Sequence, residues 1–160
     1  MKLRASKRSS AAGVSNRMRA VRRTGTDGEL QLEIALRRAR LRFRTHMAVL
    51  NCRPDVVFTT DRLIVFVDGD FWHGRLMLES GPTAFENSFT EHSRAFWVAK
   101  IKRNIARDLR QVRILRRHGW SVVRLWEKDV LNNPSAAAAI ICQRIRKRRS
   151  KPLLRHEDAV

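Results

Sequence analysis

Two short segments of this sequence combine acidic residues with a histidine at spacings that favour hydrolytic chemistry. Arg53-Pro54-Asp55 precedes one apolar, strand-like run, and Asp68 follows a second such run, with His73 a short distance further on. The polar turn 59–62 between the runs predicts a β-hairpin, which would bring both acids and the histidine to one end of a sheet. Carboxylate oxygens suit a hard divalent cation such as Mg²⁺, and an imidazole can take a proton from water near neutral pH. The pattern therefore predicts metal-assisted hydrolysis.

The charge balance indicates which class of substrate would be hydrolysed. The chain contains 34 Lys and Arg against 15 Asp and Glu, a formal net charge of +19, and its pI is about 11.7. Such a basic protein favours a nucleic-acid partner, which it would bind through the phosphates. No apolar run approaches the roughly 20 residues that span a bilayer, and the N-terminus lacks the apolar core of a secretory signal. We therefore predict a cytoplasmic protein with no membrane partner.

The order of the predicted elements indicates a single α/β domain. The chain has 160 residues, 43% of them hydrophobic, which is enough for one core, and its two cysteines form neither a disulfide framework nor a four-thiolate metal site. Periodicity and turn residues predict a mixed β-sheet flanked by helices, with Asp27 as the cap of the first helix and Glu29 in its first turn. The predicted elements are helix 28–40, strands 42–47, 55–58 and 63–67, a loop over 74–93, helix 98–117, strand 120–126 and helix 135–147.

Basic segments flank this domain. Residues 1–26 contain eight Lys or Arg and no Asp or Glu, a composition that favours a DNA-contacting arm over a solvated tail without a role. We place the domain at 27–147 and a basic and polar C-terminal tail at 148–160.

The helix predicted over 98–117 carries two stripes of different chemistry. Its apolar positions are Val98, Ile101, Ile105, Leu109, Val112 and Leu115. The polar stripe consists of Lys100, Asn104, Arg107 and Gln111. Charge on a helix is usually a solvated face, but Phe96 and Trp97 stand at the start of this one, and aromatic groups beside cations suit contact with bases and phosphates. The polar stripe is therefore a candidate DNA-binding surface.

Several short motifs follow one another through the chain. They are Ser15-Asn16-Arg17-Met18-Arg19-Ala20-Val21, Thr26-Asp27-Gly28-Glu29, Arg53-Pro54-Asp55, Val67-Asp68-Gly69 with Phe71-Trp72-His73, Phe96-Trp97 with Lys100-Ile101, Asn104 and Arg107-Asp108, and Gly119-Trp120 with Trp126-Glu127. Each is weak alone, but the ordered set resembles the very short patch repair (Vsr) endonucleases, bacterial enzymes that nick DNA beside a T:G mismatch. The similarity covers residues 15–127.

The resemblance implies a restriction-endonuclease-like α/β fold, a variant of the PD-(D/E)xK nucleases, and a set of catalytic roles. Asp55 would hold Mg²⁺ through its side chain and Val67 through its backbone carbonyl. His73 would orient or deprotonate the attacking water, because no lysine stands where the wider superfamily has one. Glu29 matches the family's acid in the first helix, and Asp68, next to the carbonyl that holds the metal, would support water or phosphate.

The same resemblance implies residues that bind double-stranded DNA. Phe71, Trp72 and Trp97 would form an aromatic wedge that enters the base stack beside the mismatch, although core packing is the commoner role of aromatic residues. Unstacking costs less at a mismatch, so a wedge favours mismatched over paired DNA. The residues implied to contact the mismatched pair are Met18, Lys100 and Asn104.

One departure concerns a structural zinc ion that the relatives hold with cysteine and histidine. The corresponding positions here are Asp70, Arg75, Met77 and Lys128, a set that cannot hold zinc. We therefore predict that structural zinc is absent, that Asp70 pairs with Arg75 or Lys128, and that Met77 fills space. A second departure is the segment between His73 and Trp97, which is longer than in the mismatch enzymes.

Three functions are consistent with these observations. The leading one is a Mg²⁺-dependent endonuclease that nicks DNA at T:G mismatches, with mismatch-repair or DNA methyltransferase-linked proteins as candidate partners and a monomeric state. A restriction or defence nuclease of the same fold would instead cut paired or modified DNA. A non-catalytic nucleic-acid-binding protein would use the basic segments alone, but Glu29, Asp55, Asp68 and His73 together argue against it.

Overall fold

A computed structural model describes residues 25–150. Met18 and most of the predicted N-terminal arm, and residues 151–160 of the predicted tail, lie outside this range. Within it, no helix combines the length and the apolar composition that a bilayer span requires. The elements are α1 Asp27–Arg38, β1 Arg44–Thr45, β2 Val56–Phe58, β3 Leu63–Asp68, α2 Arg75–Glu86, α3 Glu91–Arg117, β4 Ser121–Trp126, α4 Glu127–Asn132 and α5 Pro134–Arg149.

The four strands form one mixed sheet in the order β1-β2-β3-β4. β1 and β3 pair with β2 in antiparallel fashion, whereas β3 and β4 are parallel and are joined through α2 and α3. Strands β2 and β3 are apolar runs because helices cover both faces of the sheet. One face packs on α1 and α5, through Leu36, Phe58 and Ile141 among others, and the other face packs on α3, with Ile64 and Leu115 at its centre. The structure confirms the predicted mixed α/β fold.

Several predicted boundaries were wrong. The segment predicted as a loop over 74–93 is helical from Arg75 to Glu86, with a break at Gly81, which has a φ of 87°, followed by Pro82. Its composition concealed the helix, because what stabilises it is burial of Met77 and Phe85 against Ile101 of α3. The strand predicted over 42–47 is reduced to Arg44–Thr45. The short helix α4 was not predicted.

Two details of the helices also differ from the sequence patterns. The hydroxyl of Thr26, not the Asp27 carboxylate, caps α1 by accepting the Glu29 N–H at 3.3 Å. Along α3, Leu109 is 56% exposed and Asp108 only 7% exposed, although the apolar stripe predicted the reverse. The helix turns a carboxylate inward at this point because Asp108 has polar partners in the interior.

An ion-pair node centred on Arg75 lies at the positions that the family resemblance assigned to a structural zinc site. The Arg75 guanidinium contacts Asp70 at 2.9 Å, Glu79 at 2.9 Å and Asp129 at 2.8 Å. Asp70 also accepts the Lys128 N–H at 3.2 Å. Met77, two residues after Arg75, is buried. The predicted pairing of Asp70 with Arg75 is therefore confirmed, and the node links the end of β3 to the starts of α2 and α4.

Replacing Arg75 by methionine is expected to lower the melting temperature by a few degrees, because three carboxylates lose their shared cation. Screening by salt should weaken the wild-type node, so the difference should shrink as ionic strength rises. Thermal unfolding at low and high salt measures this. Arg37→Met, which removes an exposed pair with Glu33, is the matched control. An equal loss in both variants, or stoichiometric zinc in chelator-washed protein, would contradict the assignment.

Candidate active site

The predicted catalytic residues meet in one cleft of about 740 Å³. The cleft lies at the end of the sheet where β3 and β4 finish, between the start of α1 and the middle of α3. Sequence-predicted residues on its walls are Glu29, Asp55, Val67, Asp68, Trp72, His73, Lys100, Asn104 and Arg107. Asp108, Arg124 and Glu127 also line it and were not predicted as site residues. The hairpin and the two flanking helices therefore bring together functional residues that are far apart in the sequence.

Glu29, His46 and Asp55 form a cluster that can hold a metal ion. Their potential ligand atoms all lie within 4.8 Å of one another. Glu29 is 5% exposed; its carboxylate accepts the Gly25 N–H at 2.9 Å and lies 3.7 Å from His46 Nε2. Two carboxylates and an imidazole suit a divalent cation.

His46 was missed in the sequence because its position depends on strand register. Thr45 is opposite Val56 in the antiparallel ladder, and the His46 N–H donates to the Asp55 carbonyl at 3.2 Å. The residue has a φ of 49° and leaves the strand directly after this contact. The histidine thereby lies beside the acid of the Arg53-Pro54-Asp55 motif, an arrangement that no local pattern indicates.

The burial of Asp55 and the negative charge of Glu29 beside it are features of a site that can bind a cation. Its Oδ2 accepts the Val67 N–H at 2.7 Å, which links the start of β2 to the end of β3. Burial raises the pKa of the Asp55 carboxyl to about 6; the hydrogen bond from Val67 opposes this shift and the charge of Glu29 adds to it. A nearby divalent cation would stabilise both carboxylates in their ionised form. The two carboxylates therefore fit the predicted Mg²⁺, whereas the His46 imidazole is a donor more typical of transition-metal sites.

Replacing Asp55 by asparagine is expected to stabilise the metal-free protein at pH 8 by roughly 1–3 kcal/mol. Between the ordinary value of 3.8 and about 6, the folded protein retains a proton that the unfolded chain releases. Wild-type stability therefore falls as pH rises through this window and stays reduced above it. Asparagine can still accept the Val67 N–H. Urea unfolding in EDTA at pH 8 and pH 4 measures the difference, which should almost vanish at pH 4. A variant less stable than wild type at pH 8 would contradict this account.

His73 is positioned by a glycine turn against α3. Gly74 has a φ of 73°, and a Cβ at that position would lie 2.7 Å from Ile101 Cγ2. Only glycine allows this close approach, which places His73 Nδ1 2.6 Å from Asp108 Oδ2.

Asp108 fixes how the His73 ring can act. Burial acts to raise the pKa of the Asp108 carboxyl, but the hydrogen bond with His73 and the charge of Arg124 outweigh it and hold that pKa below its ordinary value. An ionised Asp108 can accept a proton from His73 Nδ1, and a neutral ring with that tautomer has its lone pair on Nε2. The available sequence signal was an acidic residue between the apolar positions Ile105 and Val112.

Asp68 has a different immediate partner from the water or phosphate predicted for it. It is 4% exposed, and its two oxygens accept Nε and Nη2 of Arg124 at 2.5 and 2.6 Å. Oδ1 also lies 3.5 Å from His73 Nδ1. The carboxylate is thus directed at Arg124 of β4, a residue that the sequence did not single out.

Of the candidate DNA-binding residues that the structure describes, Trp72, Lys100, Asn104 and Arg107 line the cleft, whereas Phe71 and Trp97 do not. Phe71 contacts the rings of Trp72 and Trp97 edge-on, and Lys100 Nζ lies 5.0 Å from the Trp72 centroid and 5.2 Å from that of Trp97. Asn104 Nδ2 donates to the Trp72 carbonyl at 2.9 Å. The predicted wedge residues are therefore adjacent and lie beside a cation.

Not all of these residues present free polar groups. Arg107 donates to Asp108 Oδ1 at 3.0 Å. Phe71 also packs on Phe85 and Phe89, so it forms part of a core. The roles of these residues in DNA binding remain predictions.

Comparisons with known proteins identify the family of this chain. A family model described as DNA mismatch endonuclease Vsr matches residues 6–78. The type II nicking enzyme V.NmeDIP of Neisseria meningitidis serogroup C is 35% identical over 129 residues, which are 81% of this chain and 83% of that protein. The DNA mismatch endonuclease Vsr of Escherichia coli (strain K12) is 34% identical over 115 residues, 71% of this chain and 68% of that protein. The chain therefore belongs to the Vsr family of DNA endonucleases.

Proposed function

We propose that this protein is a Mg²⁺-dependent endonuclease that nicks double-stranded DNA next to a T:G mismatch. The observation that carries the proposal is the shared cleft, which is lined both by Glu29 and Asp55 of the cation-compatible cluster and by the His73–Asp108 pair. One group of residues suits a metal and the other suits a base. Both are needed to hydrolyse a phosphodiester at neutral pH.

Each group has a distinct task in this proposal. Asp55 and Glu29 would hold Mg²⁺ with carboxylate oxygens and Val67 with its carbonyl, while His46 lies beside the Glu29 carboxylate at 3.7 Å. A bound Mg²⁺ supplies positive charge that offsets the negative charge of the scissile phosphate in the transition state. His73 takes the proton of the attacking water on Nε2. The Nδ1 proton stays on the ring and donates a hydrogen bond to Asp108.

The residues that line the cleft and the exposed side of α3 support binding of DNA. Lys100 lies among aromatic rings there, and α3 bears many further arginines on its exposed side. Phosphates would pair with these cations, and Trp72 or Trp97 would stack on bases. The lower cost of unstacking a mismatched step favours T:G over a paired site.

Nicking of two otherwise identical duplexes, one with T:G and one with C:G, tests the proposal. We expect a single nick in the T:G duplex with Mg²⁺ and no cleavage in EDTA. Equal cleavage of the paired duplex would favour a restriction or defence nuclease instead. Binding without cleavage of either duplex in any divalent cation would contradict an enzymatic role.

A further inference from the structure

Arg124 contacts the proposed base, His73, and both of the carboxylates beside it, Asp68 and Asp108. From its place on β4, its guanidinium donates to both oxygens of Asp68 and lies 3.1 Å from Asp108 Oδ2 and 3.1 Å from His73 Nδ1. Asp68 and Asp108 are 4% and 7% exposed. Two buried carboxylates thus flank one imidazole nitrogen, with one arginine between them.

The charges of this network determine whether the imidazole can accept a proton. Both carboxylates stabilise a protonated His73, since opposite charges at such distances favour the charged form of a base. A ring that is already protonated cannot deprotonate water. Arg124 is a permanent cation, and it offsets one of the two negative charges. Without Arg124, both buried carboxylates would face His73 with no cation between them, and this would favour the protonated ring.

The geometry also bears on which ring nitrogen carries the proton. Nδ1 can either donate to Asp108 or accept from Arg124, but it cannot do both. Because Asp68 holds Arg124 through Nε and Nη2 together, the remaining hydrogen on Nη2 can be directed to Asp108 Oδ2. Asp108 is then free to accept the Nδ1 proton, and the lone pair remains on Nε2.

We propose that Arg124, held by Asp68, is a positioning residue that keeps His73 neutral with its Nε2 lone pair available as the base. This inference rests on the proposed nicking function. The charged groups that face His73 are Asp68 on β3, Arg107 and Asp108 on α3, and Arg124 on β4. The same cleft contains further charged residues that make no direct contact with His73, namely Glu29, Asp55, Lys100 and Glu127.

The test is the pH dependence of single-turnover nicking at saturating enzyme on a T:G duplex. Arg124→Gln should shift the acidic limb of the pH–rate profile upward by about one pH unit or more, because a second carboxylate is then uncompensated. Asp68→Asn alone should shift it downward. The double variant Arg124→Gln/Asp68→Asn has the wild-type net charge and should return the limb towards the wild-type position. Arg37→Gln, at an exposed arginine of α1, is the control and should leave the profile unchanged.

A second readout does not depend on activity. Nitrogen NMR of the His73 ring in metal-free protein, assigned with His73→Ala, should show a neutral ring with the proton on Nδ1 at pH 8. In Arg124→Gln the ring should remain protonated to higher pH. If that variant does not fold, comparison of Asp68→Asn with the double variant isolates the same arginine.

Two results would overturn the proposal. One is a rate loss in Arg124→Gln that is equal at every pH with an unchanged His73 titration. The other is a shifted limb that persists in the double variant. If the wild type nicks neither duplex, the proposed function fails, while the NMR titration still decides the role of Arg124.

Discussion

Replacement of Asp55 by alanine is expected to abolish metal-dependent nicking, with a rate loss on the order of 10³-fold or more. The Asp55 carboxylate is the member of the metal cluster that also joins the ends of β2 and β3, through the Val67 N–H at 2.7 Å. Its removal leaves Glu29 and His46 without the third side chain of the cluster. Single-turnover nicking of a T:G duplex in Mg²⁺ measures the effect.

DNA affinity and folding provide the controls for this result. The variant should bind the duplex in EDTA nearly as well as wild type, because the contacts to phosphate come from cationic residues elsewhere. Asp27→Ala removes an exposed acid only two residues from Glu29 and should nick at close to the wild-type rate. Wild-type nicking by Asp55→Ala would remove the central element of the mechanism.

Replacement of His73 by alanine is expected to slow nicking by about 10²- to 10⁴-fold, the usual contribution of a general base. The ring is held by Asp108 at 2.6 Å and is partly exposed to the cleft, so its loss removes the proton acceptor without opening the core. Single-turnover rates across pH report the loss. Added imidazole should restore part of the rate in the variant, because it can occupy the space of the missing ring.

Asp108 provides a further check on the same step. Asp108→Asn should slow nicking less than His73→Ala, and the double variant should be no slower than His73→Ala alone, since the two residues act as one unit. His118→Ala, at the exposed end of α3, is the matched control. Additive losses in the double variant would mean that Asp108 does not act through His73.

Local sequence patterns predicted the class of chemistry and much of the fold. Strands β2 and β3 were recognisable because their apolar runs are short and bounded by turns, and Asp55, Asp68 and His73 follow from their places beside those runs. The charge of the chain indicated a nucleic-acid partner. The pairing of Asp70 with Arg75 could be inferred because the family resemblance implied that these two positions, which carry opposite charges here, lie close together.

Other features depended on contacts between distant segments. The Gly, Pro and Ser content of α2 led to the prediction of a loop. The segment is helical because it packs on α3, and this contact is not visible in the local sequence. The exposure of Leu109 and the burial of Asp108 depend on where α3 crosses the sheet. Periodicity identifies a stripe along a helix but cannot say which turn of it meets a polar partner.

The composition of the site shows the same division. Residue types and their spacing along the chain were enough to establish that acids and a histidine were available for hydrolysis. The tertiary structure added His46 to the metal cluster through strand register, and it directed Asp68 to Arg124 through the parallel pairing of β3 with β4. The register of paired strands is set by interactions across the whole sheet, and no short segment of sequence contains that information.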